Sequence, residues 1–161
     1  MAESLWVGID TFYKTALLAD LGVTSGLTTH VITEVVNTAE WEPKQWTLPV
    51  AIVNGETGRI GPRGHADGTQ HAEIVYPYVL GALMLSSTYE GAREGAKTLG
   101  HRLMGSALKN FACGGLANDA GTERVQNTQP GHVEHFVWPS EGNRNHFFGL
   151  ARLDIDVHAT R

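Results

Sequence analysis

The chain has 161 residues and a mass of 17.4 kDa, enough for one domain that buries roughly 70% of the surface its unfolded form exposes, and too few for two. Twelve Lys and Arg against 17 Asp and Glu leave a formal charge of -5, which gives no bulk attraction to phosphate and argues against a nucleic-acid clamp or a basic membrane binder. Charged residues make up only 18% and glycine numbers 19, against about 25% charged and about 7% glycine in ordinary domains, a balance that suits surface hidden in an assembly and long glycine-rich connections.

Met1 to Trp6 has neither the basic start nor the apolar core of a signal peptide, so a soluble protein from the cytoplasm is expected. From Leu5 onward Ile9, Phe12, Tyr13, Ala16 and Leu17 recur at steps of three and four, which predicts a helix over residues 4–21, closed at Gly22. His30–Val36 is β-branched, and Leu48–Val53 runs into the turn dipeptide Asn54-Gly55, so two short strands are expected there. Between them Trp41, Pro43 and Trp46 mark a loop with aromatic anchors. Residues 54–72 carry five glycines between Gly55 and Gly68 and one large apolar side chain, Ile60; this reads as a long glycine-rich loop with no element of its own.

Tyr78 to Leu85 is apolar at both parities, the pattern of a central strand covered on both faces, with Pro77 marking its start because proline cannot donate to a ladder. Ser87-Thr88-Tyr89-Glu90 matches a capping box, and the stripe Ala92, Ala96, Leu99, Leu103, Ala107 predicts a second helix over 88–109. Residues 111–131 read as a second long loop, and long loops in compact domains are usually functional or disordered. Val133, His135 and Val137, then Phe147 to Val157, alternate as an antiparallel hairpin joined through 139–145. The whole is a single α+β domain over 1–161, a largely antiparallel sheet packed with two main helices and carrying long glycine-rich loops.

His65, Asp67 and His71 offer two imidazoles and a carboxylate of the kind zinc or iron accepts, although a solvated loop collects such residues without any ligand. His132 and His135 have a helical metal spacing on what reads as a strand, where they point to opposite faces. Asp154 and Asp156 share a face with Arg152 and His158, which fits a charge-balanced wet strand better than a pair of carboxylates working on a glycoside. The glycines after residue 54 lack the Gly-Lys-Ser/Thr ending of a P-loop, and no Gly-x-Ser-x-Gly elbow exists. Cys113 is the single cysteine, so no internal disulfide and no thiolate-rich zinc site can form, and a buried or idle thiol is expected. Trp41, Trp46 and Trp138, without a basic groove beside them, suit cores or subunit seams rather than base stacking.

The opening helix Leu5–Leu21, the Leu48–Val53 strand, the Tyr78–Leu85 strand with its helix Glu90–Lys109, and the closing strand Phe147–Val157 together resemble, in pattern and order, the tail terminator (tail completion) family of long-tailed phages. The resemblance implies a virion protein of the tail and neck, assembled in the host cytoplasm. It would form a homohexameric ring that terminates the tail tube and joins it to the head connector or stopper protein. DNA would pass only as cargo, no membrane would be engaged, and no catalytic residue, metal or cofactor would be needed. Two alternatives stay open: another head-to-tail joining subunit, a stopper or adaptor, and a small metal-dependent enzyme using His65, Asp67 and His71. On the structural reading, loop 54–72 touches a partner, with Arg59 and Arg63 as anchors for carboxylates and His65, Asp67 and His71 beside them.

Overall fold

The computed structural model describes residues 4–21, 35–37, 48–55, 59–64, 70–110, 113, 115–142 and 145–160. Helix α1 spans Leu5–Leu21, and strands β1 (Val35–Asn37), β2 (Val50–Gly55), β3 (Arg59–Gly64) and β4 (Gln70–Ser86) follow it. Helix α2 (Tyr89–Lys109) and strands β5 (Arg124–Pro139) and β6 (Phe147–Thr160) complete the fold. The sheet order is β1-β2-β4-β6-β5, with β3 also paired to β4. Every pairing is antiparallel except β1 with β2. This is the expected α+β class.

Both helices form where the stripes place them. In α1 the buried residues are Leu5, Ile9, Tyr13, Leu17 and Leu21, one per turn, so a single narrow face seats on the sheet. Alternation on the strands supplies the other half of the core. Tyr78, Leu80, Ala82 and Met84 of β4, with Ala151, Leu153, Ile155, Val157 and Ala159 of β6, pack with the helices in one cluster. The reverse face of the sheet holds a smaller cluster, Val50, Ile52, Leu83 and Leu150, flanked by Leu48, Trp138 and Phe148. Residues 78–84 of β4 are therefore buried at both parities, as a central strand requires.

Four expectations are corrected. Residues 54–72 are not one irregular loop: Asn54 and Gly55 remain in β2 opposite Val79 and Tyr78, and β3 pairs with the first half of β4. β2 and β3 therefore lie along the same side of β4, β2 opposite Tyr78–Leu83 and β3 opposite Gln70–Val75. Glycine at 55 permits the close approach of Trp6, since a Cβ there would lie 2.8 Å from Trp6 Nε1 and 3.1 Å from the Tyr78 ring. Secondly, Pro77 sits inside β4 opposite Asp156. Its other edge lies where the partner changes from β3 to β2, a gap in the ladder that tolerates a missing N–H. Thirdly, the cap of α2 is Thr88, whose hydroxyl accepts from Gly91 N at 3.0 Å; Glu90 reaches Arg93 at 3.5 Å instead of closing a capping box. Lastly, the loop expected over 111–131 gives way at Arg124 to β5, whose first half includes two bulges. The sequence hid this because Gln126 to Gly131 lacks large apolar side chains. The expected strand at His30–Val36 reaches the described residues only at its end, in β1.

Gly8 in α1 and Gly105 in α2 would meet nothing within 4 Å if given a Cβ. Alanine at either position should therefore stabilise the fold by about 0.5–1 kcal/mol, through helix propensity and a less free unfolded chain. Thermal unfolding followed by circular dichroism checks this, and a lowered melting temperature would contradict the helical environment.

Candidate functional site

Of the residues singled out for partner contact, Arg59 and Arg63 lie on β3 and His71 on β4. Arg59 pairs with Val75, Arg63 with His71, and Gly61 with Glu73. The fold thus brings Arg63 and His71 together as register partners, while His65 and Asp67 lie outside the described residues. Among the described residues no group of three or more His, Cys, Asp or Glu is placed to hold a metal ion.

Glu73, which sequence reasoning passed over, anchors a polar cleft beside this strand pair. Its Oε1 lies 3.0 Å from Nδ1 of His158 on β6. Asn127 faces His158 across the β5–β6 ladder, and Gln126 donates to Thr160 Oγ1 at 3.0 Å. These residues with Gln129 line a cleft of about 160 Å³. The contact fixes the imidazole ring, and among the described residues Nε2 is buried without a hydrogen-bond partner. The signal available in the sequence was the alternation of β6, which puts Arg152, Asp154, Asp156 and His158 on one face. Arg152 and Asp154 pair at 3.1 Å, so that face is charge-balanced as expected. His132 meets Glu134 at 3.1 Å, whereas His135 lies against Gly100 of α2, and the two imidazoles do not converge.

Cys113 is fully buried, with Sγ 3.3 Å from the Tyr13 hydroxyl. Burial pushes its thiol up to about 11 despite that hydrogen bond, so it stays protonated and inert at neutral pH. Burial likewise raises Tyr13, and it raises Tyr78, whose hydroxyl donates to the Trp6 carbonyl at 3.1 Å. This aromatic cluster is core.

Two surfaces remain open. A cleft of about 620 Å³ runs between the first turns of α2 and the end of β4, lined by Leu48, Leu85, Gly91, Glu94 and Gly95 among others. The second is the sheet edge. Among the described residues the outer side of β5 is paired only at its start, where Ala117 bridges Arg124 and Val125 N donates to the Leu116 carbonyl at 2.9 Å. The first half of β5 carries two bulges and Pro130, and Pro139 closes its end, devices that blunt an edge. Between them Val133–Trp138 runs uninterrupted, with Phe136 44% exposed at its centre. The opposite edge ends in β3, unpaired on its outer side among the described residues. Among the described residues no helix is long and apolar enough to cross a membrane. No known family model matches the chain, and no curated protein matches it.

Proposed function

We propose that the chain is a structural virion protein, a ring subunit that terminates a phage tail tube and joins it to the head connector. The observation that carries this reading is the pair of edges, Val133–Trp138 of β5 and β3, left unpaired on their outer sides among the described residues. The uninterrupted six residues of β5, Val-Glu-His-Phe-Val-Trp, are rich in β-formers and hold one carboxylate. Left uncovered, such a segment would recruit other strands without control, so a native assembly that covers it explains its presence. Edges on opposite sides of one subunit are joined head to tail, which is how a closed ring is built. The acidic balance of the chain also suits a ring through which DNA passes without sticking.

The purified protein is expected to form a closed oligomer, sixfold on this reading, alone or on tail tubes. Native mass measurement and negative-stain images check this. A chain that stays monomeric at high concentration and forms no ring with tail tubes would overturn it.

A further inference from the structure

We infer that the seam between copies is a strand pairing, with Val133–Trp138 of one copy running antiparallel along Arg59–Gly64 of the next. The inference rests on the ring reading and adds the contact that builds it. Both runs are six residues long, and among the described residues nothing pairs with the outer side of either. Strand direction allows the match, because β5 and β4 run the same way and β3 runs opposite to β4.

The pleat fixes the register. Glu134 and Phe136 pair with Arg152 and Leu150 of β6, on the side of the sheet away from the helices, and position 61 pairs with Glu73, which belongs to the same side through its contact with His158. Joining like sides over the full length of both runs puts Glu134 opposite Arg63 of the next copy, Phe136 opposite Gly61, and Trp138 opposite Arg59. Each pairing is chemically apt. A carboxylate meets a guanidinium, an exposed ring covers a glycine in a cross-strand pair, and an indole meets a cation. No like charges oppose each other.

The same register sets a size. Phe136 stands level with Leu150 on β6, while Gly61, through Glu73, stands level with Thr160. Each copy is then displaced by about 34 Å along the strands and about 19 Å across four strand spacings. The step is about 39 Å, and six steps close a ring about 75 Å across at the seam.

Cysteine cross-linking tests the seam. With Gly61→Cys and Phe136→Cys in one chain, oxidation should give a ladder of covalently linked copies on a denaturing gel, whereas each single variant stays unlinked; Cys113 is buried and does not interfere. Charge reversal is a second measurement that leaves the core untouched. Glu134→Arg or Arg63→Glu alone should weaken association about tenfold, and the two together should restore most of it. Rings that form without the cross-link ladder and without recovery in the double reversal would overturn the seam and leave the ring reading standing. Absence of any association by the unaltered chain would overturn both.

Discussion

Gly149→Ala should lower stability by about 2–3 kcal/mol, the ordinary cost of overpacking a core, and the melting temperature by about 4–12 °C for a chain of this size. Gly149 lies on β6 between Met84 and Val137, directly under the first turn of α2. A Cβ there would collide with the Ala92 carbonyl oxygen and lie 3.1 Å from its carbon, with Met84 Cγ at 3.3 Å. Two of these three atoms are helix backbone, which cannot swing aside as a side chain can. Relief requires moving α2, and α2 is held by its Thr88 cap and by Leu99 and Leu103 in the core. Gly142→Ala, with open space around it, is the control and should change little. Thermal unfolding of both variants checks this, and equal melting temperatures would show that the helix does not bear on the strand at this point.

Gly149 also shows where sequence reading stops. The helices and the closing hairpin were legible because their apolar residues repeat at 3.6 and 2, and burial follows that period. The edge strand was not. In Arg59–Gly64 three of six residues are Gly or Pro, so nothing in the pattern marks a strand; β3 forms because β4 extends beyond its partner β2 and offers a ladder. Asn54-Gly55 misled for a related reason, since the local preference for a turn gives way to a tertiary contact in which Trp6 packs on the glycine. Among the site residues, Arg63 and His71 become neighbours only through the β3–β4 register, and Glu73 with His158 only through the β4–β6 pairing. Their separations along the chain carry no motif. Conversely, alternation along Val133–Trp138 was readable, but that its outer side is unpaired among the described residues was not, because a sequence does not say which strand ends a sheet.

The junction of the two helices carries the other large effect. Asp20, at the end of α1, accepts from Ser106 Oγ at 2.7 Å, Lys109 Nζ at 2.8 Å and Asn110 Nδ2 at 2.9 Å, while its main-chain oxygen accepts from Arg102 at 3.0 Å. One carboxylate thus gathers three donors from the last turn of α2, where a negative charge would otherwise face the negative end of the helix. Burial opposes its ionisation, but the hydrogen bonds from Lys109, Ser106 and Asn110 and the Lys109 charge outweigh it and hold the carboxyl below its ordinary value of 3.8. A depressed folded value means that the contribution is present above the unfolded value and is lost as the pH falls through the folded one. Asp20→Ala should therefore cost about 2–3 kcal/mol at pH 7, because Ser106, itself buried, is left without its acceptor. Asp20→Asn should cost less, keeping the shape without the charge. Denaturant unfolding across pH separates the charge from the packing. The gap between the unaltered chain and Asp20→Ala should be full at neutral pH and shrink below pH 3.8 as the carboxylate is protonated; a gap that stays constant to low pH would mean that the ionised form does not hold the helices together.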